Sequence, residues 1–178
     1  MSARSLGYLV ALVGFLVDQG FKLWMLFGYQ IEQAMRLQGP VRITPFFDLV
    51  LVWNHGISYG LFQQHDDLGR YFLIGLALVA AIAIAVWIHK SHDRLTVLAL
   101  GLIMGGALGN GLDRILHGAV VDLFHFHVGS FSWYIFNLAD VWIVAGAALL
   151  VFESLFGGKK AAVPGKQSDS SRNDAANQ

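Results

Sequence analysis

The sequence predicts an all-α membrane protein of four transmembrane helices, with strands and a short interfacial helix in the segment between the first two spans. Three observations lead there. Of 178 residues, 56% are hydrophobic and only 13% charged, with a mean hydropathy of +0.56, a balance that ordinary soluble domains do not have. Four apolar stretches are long enough to cross a bilayer. Lysine and arginine are spread unevenly over the segments that join them. The formal net charge is zero, so nothing overall points to nucleic acid. There is no cysteine, which removes disulfides, thiol catalysis and Cys-ligated metals.

The first span runs from Leu6 to Phe27, about 33 Å as a helix. It carries Asp18 and Lys22 and lacks a small-residue cleavage site after a clean apolar core, so it reads as a retained span rather than a signal peptide. Tyr71 to His89, Leu95 to about Arg114, and Trp133 to Phe156 are the others. With the N-terminus inside, Arg4, Lys90, Arg94, Lys159, Lys160, Lys166 and Arg172 lie on the inner side. Arg36, Arg42, Arg70 and Arg114 lie on the outer side. That bias places both termini in the cytoplasm.

The first outer segment, Gly28 to Arg70, is too long for a plain connector. Val41 to Trp53 is β-branched and aromatic, broken at Pro45, and reads as one or two strands. Asn54-His55-Gly56 reads as a turn, and a short interfacial helix is expected after Gly60, with Leu61, Phe62, Tyr71 and Phe72 at the headgroup level. Spans two and three are joined so tightly that they must be antiparallel neighbours. Leu116 to Ser132 forms a short second outer segment containing Asp122. Residues 1–156 are thus expected to be one polytopic domain, and residues 157–178, rich in Gly, Lys, Ser, Asp, Asn and Gln, a disordered cytoplasmic tail.

Polar residues on three spans gather at one level. Asp18 and Lys22 are four apart, acid first, the better order for a helical ion pair. Asn110 and Arg114 share a face by the same spacing, with Asp113 adjacent, either solvated at the helix end or paired locally with Arg114. Asn137 and Asp140 are three apart, with Asp140 about 9 Å below the start of its helix. Span two has no charge between Tyr71 and Ile88 and serves as scaffold. Gly101, Gly105, Gly106, Gly109 and Gly111 form a small-residue stripe that lets helices approach closely, and the last two flank Asn110. Buried carboxylates near lipid need a partner, a proton or water. Two of them, Asp122 and Asp140, facing one cavity could share a proton and activate a water.

Each candidate has a plainer reading. Asp122 and Asp140 could form a structural pair, Asp18 and Lys22 a buried ion pair, and Asn54 and Asn137 turn and helix caps. Arg114 could neutralise carboxylates or hold a headgroup. His125-x-His127 has no third ligand nearby in sequence, too little to expect a metal. A Ser58–Lys22 dyad is disfavoured because Asp18 holds the lysine protonated.

Five motifs together are specific. They are Asp18-x-x-x-Lys22; Asn54-x-Gly56-x-x-Tyr59-Gly60; Gly105-Gly106-x-x-Gly109-Asn110-x-x-Asp113-Arg114; Val120-Val121-Asp122; and Phe136-Asn137-x-Ala139-Asp140-x-x-Ile143. In this order the chain resembles bacterial lipoprotein signal peptidase, the type II signal peptidase, over about residues 6 to 156. Tyr59, Leu123 and Trp142 depart from the usual pattern without removing a catalytic group. The resemblance implies four transmembrane helices with a small extracytoplasmic β-cradle and a periplasmic helix. It makes Asp122 and Asp140 a catalytic aspartyl dyad, with Asn54, Gly56, Asn110, Arg114 and Asn137 binding substrate or shaping its pocket, and Asp18 and Lys22 in support. The implied substrate is a diacylglyceryl-modified prolipoprotein, cut before its lipidated cysteine near the outer face of the bacterial inner membrane. A monomer in contact with membrane lipid is expected, without metal or cofactor. Two alternatives stand beside this. One is an aspartyl protease of the presenilin or prepilin-peptidase type, whose Gly-x-Gly-Asp is matched only loosely by Gly109 to Asp113, one extra residue turning the aspartate by about 100°. The other is a proton-coupled transporter or channel subunit.

Overall fold

The computed structural model describes residues 1–56 and 67–156. The expectations for Ser58, for the interfacial segment after Gly60 and for the tail fall outside these residues. Four helices are long and apolar enough to cross a membrane, spanning Ala3–Gly28, Leu68–Lys90, Arg94–His117 and Leu138–Phe156. Helix α1 (Ala3–Leu23) starts where the Ser2 side chain accepts from the Ser5 amide, and it continues into a π turn, Trp24–Gly28. Helix α3 (Asp67–Lys90) and α4 (Arg94–His117) are joined by three residues, and the Asp93 carboxylate caps α4 by accepting from the Thr96 amide at 2.7 Å and its hydroxyl at 3.0 Å. Helix α5 (Leu138–Phe156) closes the bundle.

Helix α4 is the centre. Over its most apolar stretch 56% of residues are buried, against 33% in α1, 17% in α3 and 11% in α5, and the other three all pack on it. The glycine stripe explains how. A methyl group on Gly101 would collide with the Gly7 carbonyl of α1, and one on Gly106 with the Ala139 carbonyl of α5. A methyl on Gly105 would meet the Ala11 carbonyl at 2.6 Å. Backbone-to-backbone approach of this kind is how helices bind where lipid removes the hydrophobic drive. Gly109 makes room for a side chain instead: its missing Cβ leaves the space that an Asp18 oxygen fills. The outward faces, with Leu12 and Leu16 on α1, Val79 and Ile82 on α3, and Val144 and Val151 on α5, are exposed and apolar, as a lipid-facing surface requires.

At the end of the bundle opposite the α3–α4 connection lies a four-stranded antiparallel sheet in the order β1-β2-β3-β4, made of β1 (Val41–Thr44), β2 (Phe47–Asn54), β3 (Val120–Val128) and β4 (Phe131–Ser132). The expected break at Pro45 is the β1–β2 hairpin turn. A helix not foreseen in the sequence, α2 (Ile31–Gln38), precedes β1; it begins after Gln30, held at φ 56°, and ends at Gly39, φ 74°. Met25 of the π turn and Ile31 of α2 pack on Val121 and Leu123 of β3, all buried, and so tie the sheet to the first span.

One expectation needs correction. The fourth span starts at Leu138, not Trp133, because residues 133–136 are spent on extended chain: the Trp133 amide donates to the Phe126 carbonyl at 2.8 Å and the Phe136 amide to the Phe124 carbonyl at 3.1 Å. Asp140 therefore sits in the first turn of its helix rather than a turn and a half below the start. The segment after Leu116 supplies β3, which pairs with β2.

Candidate active site

Asp122 comes from β3 and Asp140 from the first turn of α5. Between Leu49 and Val52 the β2–β3 register shifts, a bulge of the kind that re-aims side chains beside functional sites. Beyond it Val52 faces Asp122 and Asn54 faces Val120, so Asn54 and Asp122 are diagonal neighbours on one face. The Asn54 amide donates to Asp122 Oδ2 at 3.0 Å, and the Asn137 amide donates to Asp122 Oδ1 at 2.6 Å. The same Asn137 begins α5 with a reciprocal cap. Its Oδ1 accepts from the Asp140 amide at 3.1 Å, and Asp140 Oδ2 accepts from the Asn137 amide at 3.3 Å. This is a capping box in which the acid at the third helical position is the site aspartate. The Asn110 amide donates to Asp140 Oδ1 at 2.9 Å. Asn137 thus caps a helix and bridges both carboxylates.

Asn54, Gly56, Asn110, Arg114, Asp122 and Asp140 line one cavity of about 150 Å³, well above what a single water needs. Arg114 is anchored by backbone oxygens, donating from Nη1 to the Asn110 carbonyl at 3.1 Å and from Nη2 to the Gly56 carbonyl at 3.1 Å, while its buried Nε has no hydrogen-bond partner among the described residues. Gly56 is set in turn by its amide, which donates to Asn54 Oδ1 at 3.1 Å. Asp122, 2% exposed, has its pKa pushed up to about 7, first by burial and then by the nearby Asp140 charge, against the opposing pull of the Asn54 and Asn137 amides and of Lys22. A buried carboxyl beside a second carboxyl holds its proton toward neutrality.

Behind the cavity lies a sealed cluster. Asp18, Lys22 and Asp113 are 0%, 2% and 1% exposed. Lys22 Nζ lies 2.9 Å from Asp18 Oδ2 and 2.7 Å from Asp113 Oδ2, and 3.4 Å from Asn110 Oδ1. Gln19 donates to Asp18 Oδ2, to the Gly109 carbonyl and to Asp113 Oδ1 at 3.1, 3.2 and 2.8 Å. Asp113 is therefore neither solvated nor paired with Arg114, as its sequence position suggested. Its Oδ2 accepts from the Val121 amide at 3.1 Å, and Asp18 Oδ1 accepts from the Ala139 amide at 3.0 Å. Each of these carboxylates fixes the backbone one residue before a cavity aspartate. Gln19 was missed as a supporting group, and Asp113, singled out in the sequence, was not given this role; the position of Gln19 beside Asp18 was a sequence clue to it.

A larger concavity of about 470 Å³, between α1, α3 and α4, is walled by apolar side chains including Leu12, Phe15, Ala77 and Met104 and offers no chemistry. His125 and His127, set aside for want of a third ligand, are joined on the sheet by Asp48.

A family model described as Signal peptidase (SPase) II matches residues 10–156. The chain is 51% identical over 166 residues to the lipoprotein signal peptidase of Methylocella silvestris, covering 93% of this chain and 95% of that one. It is 48% identical over 169 residues to the lipoprotein signal peptidase of Beijerinckia indica subsp. indica, covering 95% and 98%. In fold it matches a bacterial membrane enzyme solved by the in meso method at 2.3 Å, with TM-score 0.74 and 22% identity over 90% of this chain and 94% of that one. A second such enzyme, solved at 1.9 Å, matches with TM-score 0.68 and 25% identity over 84% and 92%.

Proposed function

The chain belongs to the signal peptidase II family, and on that footing we propose that it is an intramembrane aspartyl endopeptidase with Asp122 and Asp140 as its dyad. It is a multi-pass membrane peptidase that removes signal peptides from prolipoproteins. The finer reading is that the substrate is diacylglyceryl-modified and is cut just before the lipidated cysteine. One observation carries it: two carboxylates from different elements line one cavity and are bridged by a single residue, Asn137, whose side-chain amide donates to Asp122 and whose backbone amide donates to Asp140.

In this reading Asp122, buried and holding its proton toward neutrality, is the general acid. Asp140 stands at the positive end of the α5 dipole and acts as the ionised base. A water between them gives a proton to Asp140 as its oxygen bonds to the scissile carbonyl carbon, and Asp122 protonates the carbonyl oxygen. The proton on Asp140 then passes to the peptide nitrogen as the carbon–nitrogen bond breaks, and a hydroxyl of the tetrahedral intermediate returns its proton to Asp122, which leaves a carboxylic acid and an amine. Arg114, with its free Nε donor, and Asn54 are suited to hold substrate oxygens beside the dyad. The acyl chains lie in the bilayer against the bundle, which fixes the depth of the scissile bond.

The membrane placement belongs to the same proposal: the bacterial inner membrane, both termini in the cytoplasm, the sheet and cavity at the outer face, and a monomer as the working unit. Among the described residues the fully buried charges, Asp18, Lys22, Asp48, Asp113 and Asp122, gather in the sheet half of the molecule. That distribution favours hydrolysis at one face over ion transfer across the bundle. The test is a gel-shift assay on purified protein with a diacylglyceryl-modified prolipoprotein and its unlipidated counterpart. Cleavage of only the lipidated form is expected, lost in Asp122→Asn and Asp140→Asn and kept in Ser58→Ala. Full activity without either aspartate would sink the dyad.

A further inference from the structure

We propose that Asp48, His125 and His127 form a zinc-type divalent metal site on the sheet, separate from the Asp122–Asp140 cavity. Asp48 of β2 stands directly opposite His125 of β3, and His127 is two residues further along β3, on the same face by the two-residue period of a strand. One ligand atom from each of the three lies within 4.8 Å of the others. Two imidazoles and a carboxylate with a fourth position left for water are a zinc ligand set, whereas calcium and magnesium prefer all-oxygen cages.

The surroundings orient these ligands. The Ser132 hydroxyl donates to the Trp133 carbonyl at 3.3 Å and therefore accepts from His125 Nε2 at 2.6 Å, which leaves the lone pair of that ring on Nδ1. Fixing one ring nitrogen through a hydrogen bond at the other is the usual support of a metal-ligating histidine. His127 Nε2 lies 3.0 Å from Asp48 Oδ2. Asp48 is 6% exposed, and its Oδ1 is buried without a hydrogen-bond partner. An unsatisfied carboxylate oxygen in such a place is costly, and a cation beside it removes the cost. The one competitor is Arg42, whose Nε lies 3.8 Å from Oδ1 at the end of a 73% exposed side chain that is free to swing out. All three ligands sit on paired strands, so the site is held by the ladder rather than by a loop. Occupation would clamp β2 to β3 on the strand that carries Asp122.

The experiment uses the full chain purified in detergent on a tag without histidine, titrated with zinc chloride by calorimetry and with cobalt chloride by visible absorption. Wild type should bind one zinc per chain, show the ligand-field bands of four-coordinate cobalt, and melt at a higher temperature with zinc than with magnesium. His125→Ala and His127→Ala, each first shown to melt like wild type without metal, should each weaken zinc binding at least tenfold. His117→Ala, outside the cluster, should bind as wild type does. Arg42→Ala should bind zinc more tightly. No saturable zinc binding by wild type, or equal binding by both β3 histidine variants, would overturn the site.

Discussion

Four aspartates converge at the sheet end of this bundle, and they are held in two different ways. Asp18 and Asp113 share the Lys22 ammonium, are closed off from solvent, and also accept from the Gln19 side chain and from the Ala139 and Val121 backbone amides. Asp122 and Asp140 accept from neutral amides, the side chains of Asn54, Asn110 and Asn137 and the Asn137 backbone, and face a cavity. The first two carboxylates are packed around a buried cation. The second two line a cavity where water has room to enter. On the proposed mechanism the first pair is construction and the second is chemistry, and the first positions the second through the Val121 and Ala139 amides.

The largest break in this comparison comes from the dyad itself. Asp122→Asn and Asp140→Asn are each expected to lower cleavage of a lipidated substrate by about 10³-fold or more, the scale of acid–base catalysis, while thermal melting stays cooperative. The converse holds for the sealed pair. Lys22→Met leaves two buried carboxylates without their cation and is expected to cost about 3–5 kcal/mol of stability, read as a lowered Tm in detergent, with the loss of activity following the loss of folded protein.

The pH dependence separates the pairs further. A carboxyl whose folded pKa lies above its unfolded 3.8, as at Asp122, gives stability that is full at low pH and is lost as pH rises from 3.8 to about 7. Asp122→Asn cannot ionise, so its Tm should gain on wild type as pH rises from about 5 to about 8. Cleavage by wild type should fall above about pH 7 as Asp122 gives up its proton. A variant that trails wild type by more at the higher pH would reverse this assignment. The smallest effect tests the packing between the two: Gly106→Ala pushes on the Ala139 carbonyl, an overpacking expected to cost about 1–3 kcal/mol, and it should lower kcat through the displaced Asp140 more than it raises KM.

Much of this was legible where neighbours in space are neighbours in sequence. Asp18 with Lys22, Asn110 with Arg114, and Asn137 with Asp140 are helical pairs that spacing alone reveals, and the four spans follow from hydropathy. Asp122 and Asp140 could be offered as a pair facing one cavity, but with one on a strand and the other on a helix, spacing gave no contact between them, and only the resemblance cast them as a dyad. Asp113 misled because its partners, Lys22 and Val121, lie on other elements, while its chain neighbour Arg114 faces the cavity. The Trp133 to Phe136 run is apolar enough for a span and aromatic enough for a strand, and periodicity over so few residues cannot choose. Helix α2 is eight residues of mixed polarity, too short to signal itself. Asp48 joins His125 and His127 only through strand register.

The cap that starts α5 has a consequence for the life of the molecule before it is finished. The two hydrogen bonds between Asn137 and Asp140 both begin the last helix and set the carboxylate. On the proposed mechanism a nascent chain that has not yet inserted α5 holds one of the two dyad aspartates and no activated water. Competence to cut then arrives only with the last step of assembly, and unfinished copies in the membrane are harmless to passing polypeptides.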